Sequence, residues 1–237
     1  MISHRLRQTI IIPSIELTWN TSQPLSNEDS VRLRGFVGMC FAGDDLKHNH
    51  ANDGLRYSYP RVQYKVIDAK AKVIGLSEGV ESVKQLLEVV SLTIGKDEVM
   101  IINRDVKESN RLLGVSNQNA LYSFLTPWLA LNQQNYEKYQ RAGTWPARKA
   151  MLESILIGNL ISMSKSLGYT VSEPLTASIH KMREVKASLK GTPMLGFLGD
   201  FSVNFEIPDY WGIGKSVSRG FGTVKRCPDG RNTMEHP

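Results

Sequence analysis

Residues 212–222 read GIGKSVSRGFG, four glycines in eleven positions. No regular helix holds glycine at that density, because each one costs roughly 1 kcal/mol against alanine in a helix interior. The stretch therefore separates the chain before it from one last strand, Gly222 to Cys227. Just upstream stands the most regular pattern of the chain. Leu195, Phe197, Phe201, Val203, Phe205 and Ile207 share one parity against Asp200, Ser202, Asn204 and Glu206, as in a half-buried strand. The end of the protein thus reads as strand, irregular glycine loop, strand.

Working backwards, Leu175 to Leu189 holds a partner strand. Before it, Met151, Leu152, Ile155, Leu156, Leu160, Met163 and Leu167 recur at helical spacing. Thr144 can cap that helix, Pro146 suits its first turn and Gly168 stops it. The first half has its own series. Thr9 to Trp19 reads as a strand with Ile11, Ile15, Leu17 and Trp19 on one face, and Pro13 marks an edge or a bulge. Ser26 and Asp29 make a capping-box start. Val31, Leu33, Val37, Cys40 and Phe41 then follow with helical spacing. Gly35 and Gly38 weaken this helix, so tight packing is expected to hold it. Tyr57 to Ile67 is a strand with Val62, Tyr64 and Val66 on one face and Arg61, Gln63 and Lys65 on the other. Lys72 to Leu76 is a short strand, Val80 to Val90 a helix, and Val99 to Ile102 a strand again.

The order β-α-β-β-α-β is that of a ferredoxin-like domain. Each half shows a version of it, so an α+β protein of tandem ferredoxin-like (RRM-like) domains with a C-terminal glycine-rich loop is predicted. The polar segment NQQNYEKYQRAGT places the junction, with domains at 1–135 and 136–237. Chain length agrees, since 237 residues suit two cores of about 100 to 120 residues.

Composition narrows the function. Hydrophobic residues are 41% and charged residues 22%, which excludes a wholly disordered chain. Lys and Arg exceed Asp and Glu by 29 to 23, which admits a polyanionic partner. Cys40 and Cys227 are too few for a disulfide framework, and Cys40 reads as a buried free thiol. No secretory signal precedes Pro13, and no uncharged run is apolar enough to cross a membrane. A cytoplasmic protein is expected.

Two segments carry chemistry. In the glycine loop, exposed N–H groups form an anion-binding concavity, and Lys215 and Arg219 add full charges. A plain turn is the simplest reading. A phosphate-binding Walker loop needs glycine where Asp209 stands and a helix after Ser216, and neither is present. A dinucleotide fingerprint fails at Val217. The remaining reading is a loop lying along a nucleic-acid backbone. The second segment, DDLKHNHANDG, holds His48 and His50 beside Lys47, with Arg56, Tyr57 and Tyr59 close behind. An exposed polar loop, a metal site using Asp44, Asp45 or Asp53, and general acid–base catalysis all remain open. Imidazole, titrating near 6.5, suits the last. His4 and His236 lie near the termini, and His180 reads as structural.

GIGKSVSRGFG resembles the C-terminal glycine signature G-h-G-x-x-x-x-x-G-h-G of the CRISPR-associated repeat-RNA endoribonucleases, the sixth Cas protein family. It matches at Gly212, Gly214, Gly220 and Gly222, with Ile213 and Phe221 at the hydrophobic positions. LRGFVG and RYSYPRVQYKVI resemble the N-terminal half of that family. The resemblance implies a metal-independent endoribonuclease, without cofactor, that cuts CRISPR repeat RNA in precursor transcripts. A 2′-hydroxyl would attack, leaving 2′,3′-cyclic phosphate and 5′-hydroxyl ends. It implies His48 or His50 as acid or base, with His48, nearer the helix end, preferred. Proximity in sequence adds Tyr57 or Tyr59 to orient it and Lys47 to stabilise charge. Gly212, Gly214, Lys215, Ser216, Arg219, Gly220, Phe221 and Gly222 would bind RNA, and Arg61 and Lys65 would either grip phosphate or form a solvated strand face. Other CRISPR-associated subunits and a homodimer are compatible with the resemblance. The rival of a different class is a non-catalytic RNA-binding subunit of an interference complex.

Overall fold

The structure is a computed structural model and describes residues 9–40, 58–189 and 191–228. It contains two compact units. One is Ile11–Arg111 with Lys215–Gly222; the other is Met1–Ile10, Leu112–Gly214 and Thr223–Pro237. The chain thus changes unit between Arg111 and Leu112, and the expected junction at 135 and 136 lies inside the second unit.

The first unit runs β1 (Thr9–Thr21), α1 (Asp29–Cys40), β2 (Val62–Ile67), β3 (Lys70–Leu76), α2 (Gly79–Lys84, continued by a 3₁₀ turn at Gln85–Glu88), β4 (Ser91–Ile94) and the start of β5 (Asp97–Phe124). The sheet order β2-β3-β1-β5 is ferredoxin-like, with β1 and β2 each antiparallel to β3. One face of this sheet packs Leu17, Trp19, Tyr64, Val66 and Val73 beneath Leu33 and Val37 of α1 and Val83 of α2. Burial switches parity at Pro13: Ile11 is exposed and Ile12 buried. Pairing of β1 with β3 starts only at Ser14, so the proline sits where its missing N–H is not required.

Asp29 closes the start of α1 as anticipated, accepting from Ser26 N and Ser26 Oγ at 2.8 Å each. Two expectations for this helix need correction. Cys40 is exposed. Gly35 and Gly38 have nothing within 4 Å of where a Cβ would stand, so no close packing requires them.

The second unit takes the rest of β5 and adds α3 (Gln133–Arg141), α4 (Trp145–Ser166), β6 (Ala177–Leu189), β7 (Thr192–Glu206) and β8 (Val224–Arg226). Its strands order as β8-β5-β7-β6 and are antiparallel at every step. This is the ferredoxin-like order again, with the glycine loop standing where a second helix would be. Leu152, Leu156, Leu160 and Met163 of α4 are buried, as are Phe197, Phe201, Val203 and Phe205 of β7. Thr144 holds the N-cap position without a side-chain cap bond. Helix α3 occupies the polar segment that sequence alone assigns to a junction. Asn132 caps it through Asn135 N at 2.7 Å, and Tyr139 is its sole buried residue. No helix among the described residues is long and apolar enough to cross a membrane.

Candidate nucleic-acid interface

The chain leaves β7 through Tyr210 and Trp211, which are tied to β8. Tyr210 N donates to Val224 O at 2.7 Å, and Val224 N donates to Trp211 O at 2.9 Å. Gly212 bridges to Thr223, and Thr223 N donates to Thr126 Oγ1 at 2.9 Å. The two ends of the loop are therefore clamped together at its neck. Ile213 and Val217 are buried and anchor its body.

Beyond the neck, Ser216 (φ 57°) and Gly220 (φ 87°) take left-handed conformations on either side of a 3₁₀ turn, Val217–Arg219. Two of the glycines have reasons inside the protein. At Gly214 (φ 90°), a Cβ would stand 2.6 Å from Trp128 Nε1 and 3.0 Å from Asn159 Oδ1. At Gly220, a Cβ would stand 2.7 Å from Ser30 Oγ and 3.2 Å from Tyr64 O. Both positions thus need a residue without a side chain and tolerant of positive φ. These glycines let the backbone approach its own fold.

The 3₁₀ turn packs on α1 and β2. Strand β2 is the edge of its sheet, and an edge presents unpaired N–H and C=O groups. Ser30 Oγ, donating to Asn27 O, accepts from Val66 N at 2.9 Å. Gly220 lies against Tyr64 O beside it. The first turn of α1 and the glycine loop together cover this edge.

Lys215 is exposed, and Ser216, Arg219 and Phe221 are half-buried, while Gly212, Gly220 and Gly222 are buried. Partial burial lowers the proton affinity of Lys215. Arg219 is lowered first by burial and then by the neighbouring charge of Arg34. Arg219 stays cationic at neutral pH, as arginine does throughout proteins.

The other expected site residues behave differently. Arg61 is turned to Glu78, its Nε 2.7 Å from Oε1. Lys65 is fully buried in β2, opposite Lys72, with no hydrogen-bond partner for Nζ among the described residues. Burial pushes its ammonium pKa down to about 7. Neither a phosphate grip nor a solvated strand face, the two expectations for Lys65, fits its burial, while Arg61 is paired with Glu78. Gln63, beside them in the alternation, is buried as well. Tyr59 is buried, and its carbonyl accepts from Arg61 Nη1 at 3.5 Å. Beside the loop's neck, Trp211 is buried and Tyr210 lies under Lys225, whose Nζ is 5.7 Å from the ring centroid. His48, His50, Lys47 and Tyr57 lie outside the described residues. The segment that carries them joins the end of α1 to the start of β2, the two elements beneath the 3₁₀ turn. His180 is exposed on β6, with Nε2 2.9 Å from Ser202 Oγ. Sequence reasoning missed Ser30 and Arg34. A serine and an arginine inside a helix carry no pattern of their own; only the loop laid beside them marks them.

Comparison with known proteins covers nearly the whole described chain. Residues 10–111 match the model of the Cas6b N-terminal domain and residues 114–227 that of the Cas6b C-terminal domain. A solved structure described as a crystal structure of Cas6b is 35% identical with a TM-score of 0.85, over 92% of this chain and 100% of that one. Another, described as a CRISPR RNA processing endoribonuclease Cas6b, is 33% identical with a TM-score of 0.75 over the same shares. An uncharacterized protein of Methanocaldococcus jannaschii is 40% identical over 144 residues, 61% of this chain and 97% of that protein.

Proposed function

The chain belongs to the Cas6b family of CRISPR RNA processing endoribonucleases, and from that premise we propose that it cuts repeat RNA without a metal ion, by attack of the RNA's own 2′-hydroxyl. The observation that carries the reading is the seat of the loop. Its 3₁₀ turn, which ends in Arg219, packs on α1 and β2, and in the sequence the histidine segment lies between those same two elements.

RNA brings its own nucleophile. A base removes the 2′-hydroxyl proton, the 2′-oxygen bonds to phosphorus and the P–O5′ bond breaks. An acid returns a proton to the 5′-oxygen. The ends are a 2′,3′-cyclic phosphate and a 5′-hydroxyl, so atoms and charge balance with no co-reactant. His48 or His50 supplies the acid or base, worth roughly 10²- to 10⁴-fold in rate. Tyr57 orients the imidazole, and Lys47 stabilises the phosphorane. Lys215, Arg219 and the loop backbone hold the strand in line, a contribution of positioning and electrostatics. Tyr59 and Lys65 are buried and Arg61 is paired with Glu78, so this reading gives the three no part in holding RNA.

A repeat RNA with a 2′-deoxy nucleotide at the scissile step tests this directly. It is expected to bind and to resist cleavage. The His48→Ala/His50→Ala protein is expected to bind normally and to cut at a small fraction of the wild-type rate. Lys215→Ala/Arg219→Ala is expected to bind weakly, with a flatter salt dependence. Activity that vanishes with chelator but survives loss of both histidines would sink the metal-free mechanism. Binding without cleavage by the wild-type protein would favour the non-catalytic subunit.

A further inference from the structure

Resting on that reading of the loop as an RNA site, we propose that Arg34 completes it. Arg34 and Arg219 form a two-guanidinium clamp for one phosphate of the bound RNA. The placement comes from backbone packing. Gly220 lies against Ser30 on α1, and Arg34 stands one helical turn further on, on the same side of the helix. Arg219 immediately precedes Gly220, in the turn that packs on α1. The two cations are close enough that the charge of Arg34 lowers the proton affinity of Arg219. Its field also reaches the buried hydroxyl of Tyr64, whose carbonyl adjoins Gly220.

Neither guanidinium meets a carboxylate among the described residues. That sets them apart from two other arginines of the same unit. Arg32 bonds Asp29 at 2.6 Å and Arg61 bonds Glu78 at 2.7 Å. Two like charges held together repel, and half-burial of Arg219 strengthens the repulsion by lowering the local dielectric. A phosphodiester between them reverses the sign of the interaction. Its two non-bridging oxygens accept up to four N–H bonds, which two guanidinium forks supply. The loop's placement beside α1, fixed by Gly220, is what sets the width of the clamp.

The test uses the full chain and a repeat RNA made uncleavable by 2′-deoxy substitution, with binding measured from 50 to 200 mM salt. Arg34→Ala is expected to weaken binding roughly tenfold, the loss of a charge-assisted hydrogen bond. Arg34→Lys should restore part of that. Because one phosphate is shared, Arg34→Ala/Arg219→Ala should flatten the logarithmic salt slope by about 0.7 in total, against about 1.4 for two separate phosphates. Arg32→Ala, on the same helix but paired to Asp29, should leave the slope unchanged. The melting temperature of Arg34→Ala should stay level or rise, since repulsion is removed; a purely structural role for Arg34 predicts a fall. Wild-type binding and cleavage with an unaffected Arg34→Ala protein would overturn the clamp alone. Absence of RNA binding by the wild-type protein would overturn the functional reading and the clamp with it.

Discussion

Replacing Lys65 with methionine should stabilise the protein at neutral pH. Lys65 is fully buried in β2 and its Nζ has no hydrogen-bond partner among the described residues. On the neighbouring strand Lys72 lies directly opposite and is held by Glu16 and Thr18. No carboxylate among the described residues neutralises Lys65 itself. Burial lowers its pKa from 10.5 to about 7. At about 1.4 kcal/mol per tenfold change in acidity, this corresponds to roughly 4–5 kcal/mol. Relaxation around a buried ion cuts the observable part to roughly 2–4 kcal/mol. The sign follows from proton counting. Between pH 7 and 10.5 the unfolded chain keeps a proton that the folded chain has released, so stability rises with pH across that window. Below pH 7 the lysine is protonated in both states, and the cost of burying the charge is fully present. Lys65→Met keeps the length and removes the charge. Urea unfolding at pH 6.5, 8 and 9.5 checks it. The variant should be more stable by 2 kcal/mol or more at the lowest pH, with the gap closing as pH rises. A variant less stable than wild type at pH 6.5, or a gap that does not change with pH, would refute the argument.

The glycines offer a second comparison. Gly214→Ala forces a Cβ against Trp128 in a left-handed backbone and should cost about 2 kcal/mol or more, read as a fall in unfolding midpoint. Gly35→Ala adds a methyl in open space on α1 and should gain about 0.5–1 kcal/mol in the same assay. Ser30→Ala strips the acceptor from the Val66 N–H and should cost about 1–3 kcal/mol, with faster amide exchange at Val66 as its local signature.

Much of the architecture was legible in the residues. The alternation in Leu195 to Ile207, the helical stripe through Leu152, Leu156, Leu160 and Met163, and the Ser26–Asp29 box each report a local period or cap. Such signals need no knowledge of the partner surface. Helix α3 escaped because it buries only Tyr139 and so has no apolar stripe. The long β5 escaped because its middle, 102–108, is exposed throughout and does not alternate.

The glycine motif and the basic residues within it were determined by the sequence alone, and so was the family they resemble. Tertiary structure decided what each residue does there. Alternation put Lys65 and Gln63 on the polar side of β2, but whether that side meets water depends on what the fold lays over it, and both are buried. Spacing marked Gly220 as special, but its reason is the side chain of Ser30, which a reader of the chain finds 190 positions away. Local periodicity is a property of a segment. Burial, charge pairing and close approach are properties of two segments at once, and only the folded chain brings those together.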